Sequence, residues 1–289
     1  MVPMSERLLV ERLSILIVTL IASVLVWVWP HIDTVARDGL QVDYLAVGQG
    51  DATLVTTPDG IQVLIDGGPG SSVLTELGSV MPWWDRDIDM VVATHPDKDH
   101  IGGLVEVFDR YHVGVVVETD KDGDSAAARA YHVRAAAEQA EIVTARRGQV
   151  YTLGASTTLE ILYPETATDG DETNAASVVL RIVYGETSFL FTGDAPKRVE
   201  EYLVLAYGEH LKSTVLQVGH HGSRTSTSEL FLDEVQPEFA VISAAPDSQY
   251  GHPHVEVTDL LFNKRVETYE TAEEGTVTLL SDGQKVWLK

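Results

Sequence analysis

The segment Thr94-His95-Pro96-Asp97-Lys98-Asp99-His100 places four potential metal ligands, two imidazoles and two carboxylates, within six residues. Histidine nitrogens and carboxylate oxygens are the usual ligands of a catalytic divalent ion where thiolates are lacking, and the chain has no cysteine. His95 and Asp97 are two apart, so in extended backbone they face the same side, and Asp99 and His100 then fall in the turn that opens a helix. A polar turn with Asp99 capping that helix would account for one Asp and one His, not for all four. Such a centre needs partners from elsewhere in the chain. Phe189 to Asp194 is a buried-looking strand that ends on a carboxylate, though Asp194 alone reads more simply as a cap for a helix from Pro196. Leu216 to Ser223 is a second apolar strand, ending on His220-His221; the plain alternative is a surface pair of histidines.

The elements that must position these groups are strand-rich in both halves. Residues 41–47, 52–57 and 61–65 read as strands around a Gly48-Gln49-Gly50 turn and a Pro58-Asp59-Gly60 hairpin turn. A helix over 71–81, a short strand at 90–93, a helix over 101–111 and a strand at 113–118 follow, then an Ala-rich helix at 125–139. Strands at 141–144, 149–153 and 158–163 precede a polar loop, and 177–184 with 188–192 form a hairpin through Gly185-Glu186. Helices at 197–207, 226–235 and 255–264 alternate with strands at 214–218 and 239–243, and 266–289 closes in short strands. Two sheets packed face to face with helices outside accommodate this order; a doubly wound parallel sheet would require more regular alternation.

Composition bounds the rest. The formal charge is −24, from 44 acidic and 20 basic residues, and such a surface repels nucleic acid, whose phosphates are bound by Lys and Arg. The objection weakens in high salt, where the Debye length is about 3 Å at 1 M, and scarce lysine beside abundant aspartate fits either a salt-adapted protein or a plainly solvated acidic surface. Leu13 to Trp29, LSILIVTLIASVLVWVW, is apolar for about 17 residues, the short end of a membrane span, with Trp27 and Trp29 where interfacial rings sit. A membrane anchor over residues 1–38 and a catalytic domain over 39–289 is the expected organisation. A cleaved signal peptide, with Thr34-Val35-Ala36 as a weak site, or a buried helix are the alternatives. Arg7 and Arg12 precede the run and Arg37 is the nearest base after it, which favours an extracytoplasmic domain over a cytoplasmic one.

Taken together, Leu45 to Ala52, Leu64 to Gly68, Thr94 to Gly103, Asn174 with Ser177 to Leu180, Leu190 to Asp194, His220 to Ser223 and Tyr250 to His254 resemble the metallo-β-lactamase superfamily, and within it the hydrolase domain of ComEC-type DNA-uptake proteins. The resemblance implies an α/β fold, an αββα sandwich with two divalent ions, zinc or manganese, at the edge of its sheets. It implies His95 and Asp97 on one ion, Asp99 and His100 on the second, Asp194 between them, and His220 or His221, with His220 preferred, completing the second. Asp66 would orient a ligand histidine, Asn174 falls where other members supply a histidine, His221 or His252 would protonate a leaving oxygen, and Ser223 would be a hydrogen-bonding neighbour. Asp97 stands where many members have histidine, which agrees with the ComEC-like branch and makes the site harder. Two ions about 3.5–4 Å apart would supply hydroxide for in-line attack on a phosphodiester. The expected substrate is DNA, single-stranded by preference. Family architecture includes a channel that one apolar segment cannot form, so uptake would require a separate channel partner. Hydrolysis of another ester (a phosphorylcholine ester, a lactone or an envelope phosphodiester) is the alternative, and a non-catalytic metal-binding or nucleic-acid-binding module a third reading.

Overall fold

The computed structural model describes residues 39–168 and 172–289, together with Ile17 and Thr19. Its contacts divide the chain into Met1–Arg37 and Asp38–Lys289. The expected anchor lies, those two positions aside, outside the described residues, and among the described residues no helix is long and apolar enough to cross a membrane.

From Leu40 the chain builds the same pattern twice. Strands β1 (Leu40–Tyr44), β2 (Thr53–Thr56) and β3 (Gln62–Ile65) form an antiparallel meander. Helix α1 (Ser72–Val80) then leads to β4 (Asp87–Ala93), and two short helices, α2 (Lys98–Ile101) and α3 (Leu104–Phe108), to β5 (His112–Glu118). Helix α4 (Ala126–Glu138) leads to β6 (Glu141–Thr144), and β3 to β6 pair in parallel. The second half opens with antiparallel β7 (Val150–Thr152), β8 (Thr157–Tyr163), β9 (Val179–Tyr184) and β10 (Thr187–Phe191). It continues through α5 (Lys197–Tyr207), β11 (Val215–Gln217), α6 (Glu229–Val235), β12 (Phe239–Ile242), α7 (Val255–Asn263) and β13 (Glu267–Glu270), with β10 to β13 parallel. Helix α8 (Thr271–Glu274) returns the chain to the first sheet as β14 (Val277–Ser281) and β15 (Val286–Leu288).

The strands alternate inward and outward side chains, and each sheet buries both faces. Val42, Tyr44, Val63, Ile161, Phe189, Phe191 and Val241 fill the space between the sheets, where the rings of Tyr44 and Phe191 stack 6.2 Å apart. Leu77, Leu104, Val107 and Tyr131 seal α1, α3 and α4 against the first sheet. Leu203, Phe231, Leu232 and Leu261 seal α5, α6 and α7 against the second. Helix, sheet, sheet and helix layers make the α/β metallo-β-lactamase sandwich.

The expected helix over 101–111 is broken. Gly102 and Gly103 separate α2 from α3, because the loop after β3 docks there: Gly67 N–H donates to the His100 carbonyl (2.7 Å) and Gly103 N–H to the Gly68 carbonyl (2.8 Å). A side chain at Gly103 would put its Cβ 1.9 Å from the Gly67 carbonyl oxygen. That contact is backbone on both sides and cannot relax cheaply. Gly103→Ala should therefore lower stability by about 2–3 kcal/mol or more, read as a fall in the denaturation midpoint; a midpoint within error of the parent chain would refute this packing.

Candidate metal centre

The parallel strands bring their C-terminal ends to one edge of the sandwich, the place where open α/β sheets present ligands. β3 ends at Asp66, β4 at Thr94-His95, β10 at Asp194, β11 at His220-His221 and β12 at Ser243. The two sheets are tied at this edge by the Val178 N–H donating to the Thr94 carbonyl (2.9 Å), and within the second sheet the His220 N–H donates to the Gly193 carbonyl (3.1 Å), joining the ends of β11 and β10.

Asp194 is the hub. It does not cap α5, whose N-cap position is Pro196. Its Oδ1 lies 3.2 Å from His100 Nε2 and 3.7 Å from His221 Nε2, and its Oδ2 lies 3.5 Å from His220 Nε2 and 3.8 Å from His95 Nε2. Asp97 flanks His95 at 3.7 Å, and Asp99 Oδ2 stands 3.4 Å from His221 Nε2. The side chains thus form two groups about one carboxylate: His95, Asp97 and His220 beside Oδ2, and His100, Asp99 and His221 beside Oδ1. The preference for His220 in the second group meets a different placement. His221 is the buried ring facing Asp99, and His220, at 24% side-chain exposure, faces the first group. Both residues adopt the left-handed region, with φ of 52° and 56°, a conformation that costs about 1–2 kcal/mol per non-glycine residue. The tight turn sends one ring to each side of Asp194.

Each imidazole is held by Nδ1 and presents Nε2. His100 Nδ1–H donates to Asp66 Oδ2 (2.8 Å), and Asp66 is fully buried and also accepts from the Thr94 N–H (2.8 Å) and hydroxyl (2.7 Å). Because the Thr94 hydroxyl proton is committed to Asp66, His95 Nδ1–H donates to Thr94 Oγ1 (3.1 Å). His221 Nδ1–H donates to the Ser243 carbonyl (3.0 Å), and His220 Nδ1 meets Thr225 Oγ1 (3.0 Å), itself bonded to Ser223 Oγ (2.9 Å). Ligand histidines anchored through the far nitrogen are the normal supporting arrangement of a metal site. Asn174 opens a short 3-10 turn at Asn174–Ala176, and the neighbouring Thr173 hydroxyl donates to Asp97 Oδ2 (3.1 Å). His252 lies 5.6 Å from the His220 ring, and its Nδ1 accepts from the Gln49 amide (3.4 Å).

The residue that sequence reasoning passed over is Asp51. Gly50 approaches the backbone of Asp99 so closely that a Cβ there would meet the Asp99 carbonyl at 2.1 Å, and the Asp51 N–H donates to that same carbonyl (3.2 Å). Its carboxylate is thereby carried to 3.2 Å from His221 Nδ1. Asp51, His100, Asp194 and His221 can each offer one ligand atom with all four atoms within 4.8 Å of one another. The signal was a carboxylate directly after a Gly-x-Gly turn at the end of a buried strand.

The donor set fits a divalent cation. His95 Nε2, His100 Nε2, His221 Nε2, Asp194 Oδ1 and both Asp51 oxygens are buried without a hydrogen-bond partner, whereas buried polar atoms are nearly always paired. Electrostatics in the protein alone says the same. Burial would push the His221 imidazolium down, but Asp194 and Asp51 overturn that and hold it up to about 10. His100 is likewise raised against burial by Asp194 and Asp66. Burial, reinforced by the cationic His100, sends His95 down to about 3. Burial opposes ionisation of Asp194, yet His100 and His221 keep its carboxyl far below the usual range. The carboxylates demand positive charge, and protons on His100 and His221 supply it when nothing else does.

Residues 45–245 match the family described as the metallo-beta-lactamase superfamily. The chain belongs to that superfamily. Within it the chain belongs to the ComEC-like branch: it is 31% identical over 260 residues to ComE operon protein 3 of Bacillus subtilis, covering 82% of this chain and 32% of that protein. It is 30% identical over 280 residues to Recombination protein 2 of Haemophilus influenzae (94% and 32%) and 35% identical over 207 residues to Competence protein ComA of Neisseria gonorrhoeae (71% and 27%). The chain therefore spans about a third of the length of these relatives. The fold is shared with CmlA, a diiron beta-hydroxylase from Streptomyces venezuelae (TM-score 0.54, 18% identity, 81% of this chain and 53% of that one). It is shared also with Zn(2+)-bound PqqB from Methylobacterium extorquens (TM-score 0.55, 12% identity, 83% and 99%).

The proton-for-metal exchange has a checkable sign. His100 and His221 bind protons more tightly in the folded chain, so their stabilisation is complete below the unfolded value of about 6.5 and is lost as pH rises towards the folded one. For His221 that window runs from about 6.5 to about 10. The melting temperature of the metal-stripped chain should fall through this window, while the increment produced by added Zn²⁺ or Mn²⁺ grows, because the ion displaces those protons. A metal-induced increment independent of pH would contradict the arrangement.

Proposed function

We propose that the chain is a membrane-anchored, metal-dependent phosphodiesterase that cleaves DNA, with two divalent ions, zinc or manganese, shared through Asp194. The observation that carries this reading is the set of unpartnered buried donors on both sides of one carboxylate. His95, Asp97, His220 and Asp194 would hold one ion, and His100, Asp99, His221 and Asp194 the other, with Asp51 behind His221. Divalent ions in such a site supply Lewis acidity and bring the pKa of water close to neutrality.

The chain's own residues do the rest. Asp97 and Asp99 are partly exposed, at 40% and 34%, while His95, His100 and His221 are buried, so substrate meets the centre from the Asp97, Asp99 and His220 side. His252 stands on that side. Burial and the neighbouring imidazoles of His220, His221 and His254 push it down to about 4, so it is neutral at pH 7, and the Gln49 hydrogen bond at Nδ1 leaves its proton on Nε2. In that state it donates a hydrogen bond to a phosphoryl or leaving oxygen, and a bound phosphodiester anion would raise its basicity towards a proton-delivering role. His221, buried and committed at Nδ1 to Ser243, serves the metal rather than the leaving group. Domain boundaries at residues 38/39, an extracytoplasmic orientation and a separate channel partner complete the reading.

A net charge of −24 favours one competitor, hydrolysis of a smaller ester or envelope phosphodiester, since a polyanion is repelled at low ionic strength. Turnover of single-stranded DNA, duplex DNA and a chromogenic phosphodiester, with Mn²⁺ or Zn²⁺ across a salt series, separates the two. DNA cleavage should rise with salt while the small ester is indifferent, and absence of DNA cleavage at every salt concentration would favour the competitor. Asp99→Ala should abolish turnover with far-ultraviolet dichroism unchanged; retained turnover in that variant would sink the mechanism.

A further inference from the structure

The edge of the sandwich opposite the metal centre carries an exposed tryptophan pair. Trp83 and Trp84 lie between α1 and β4, exposed by 78% and 46%, with their rings edge to face at 5.5 Å. The β4 strand runs seven residues from there to the ligand segment, so at about 3.3 Å per residue the pair stands roughly 20 Å from the centre.

Strand register shows which other residues share that edge. Asp87 at the start of β4 pairs with His112 at the start of β5, and Gln62 at the start of β3 pairs with Thr56 at the end of β2. Thr56 in turn pairs with Gln41, and Leu40 with Ser281. The chain therefore enters β1 at the same edge that bears Trp83 and Trp84. The apolar run Leu13 to Trp29 ends ten residues upstream of Leu40's neighbour Gly39, a stretch that reaches at most ~35 Å when fully extended.

We propose that this edge docks on the lipid interface, with Trp83 and Trp84 seated at headgroup level. Tryptophan is the side chain that prefers that layer, apolar in body and polar at its N–H, and two adjacent exposed indoles are not what a water-facing turn between a helix and a strand needs. The surrounding charges act locally and do not hold the rings down: Asp85 accepts from the Gln62 amide (2.8 Å) and the Arg86 guanidinium lies over Tyr111 at 5.6 Å. With a chain charge of −24, the seat is apolar, so a zwitterionic surface suffices and an anionic one is disfavoured. The inference rests on the membrane-anchored reading above. It adds an orientation: Asp97, Asp99 and His220 face away from the bilayer, open to a substrate in the aqueous phase.

The test uses the full chain in phosphatidylcholine vesicles. The absence of native cysteine allows single nitroxides at Asp87→Cys, beside the pair, and Arg224→Cys, at the metal-centre edge. Docking predicts that the label at 87 relaxes with membrane-dissolved oxygen and is shielded from a water-soluble nickel chelate, that the label at 224 behaves oppositely, and that Trp83→Ser with Trp84→Ser removes the contrast while the chain still floats with the vesicles. Equal chelate access at both sites in a floating chain overturns the docking and leaves the anchor standing. Dipolar broadening between labels at 87 assigns the edge to a second copy and overturns it too. A chain that does not float at all overturns the anchor, and this inference with it.

Discussion

Four carboxylates, Asp51, Asp97, Asp99 and Asp194, converge on one edge of this sandwich, and they can do so only if positive charge sits among them. Two like charges 4 Å apart repel by about 4 kcal/mol even at an effective dielectric of 20. Asp194 lies within 4 Å of four imidazole nitrogens. Those imidazoles are supplied by two different sheets, so the pairing of sheet ends and the compensation of charge are one and the same constraint. The inter-sheet hydrogen bond from Val178 to Thr94, with the bond from His220 to Gly193 that joins the ends of β11 and β10, is where the fold meets it.

Asp66 shows how far the constraint reaches into the scaffold. A fully buried carboxylate is expensive unless its oxygens are satisfied, and the Thr94 backbone, the Thr94 hydroxyl and His100 satisfy it. Burial still pushes its carboxyl upward, with His100 opposing. The reward is directional. Through Asp66 one carboxylate settles the tautomers of both His95 and His100, and so turns two Nε2 atoms toward Asp194. Its own backbone is left-handed, φ 57°, which an aspartate tolerates better than most residues.

Much of this was legible in the residues. The ligand run His95 to His100 declared itself by density alone, and the strands that end on Asp194 and His221 declared themselves as apolar stretches closing on chemistry. The two sheets followed from the order of elements. What was not legible has a common cause, namely that it depends on backbone meeting backbone. The break between α2 and α3 exists because the Gly67-Gly68 loop needs the space above Gly103. Asp51 reaches the site because Gly50 lets its loop lie on the Asp99 carbonyl. The choice between His220 and His221 turns on two consecutive left-handed residues, and no side-chain pattern announces that geometry.

The site is also asymmetric in depth, and this decides how it can be used. In the second group His100, His221 and Asp51 are buried and Asp99 reaches the rim, whereas the first opens through Asp97 and His220 towards His252, His254 and Tyr250. A substrate of the proposed reaction would therefore approach from the rim and not from the buried side. On the proposed reading it would lie across the Asp97 and Asp99 rim with its reacting atom towards Asp194, and the leaving group would depart past His252. The rim itself is acidic, so the chain's own side chains would repel a phosphodiester until cations occupied the centre. Metal occupancy would then act as the condition for substrate approach as well as for reaction, because the same excess of carboxylate that would draw cations would repel anions in their absence.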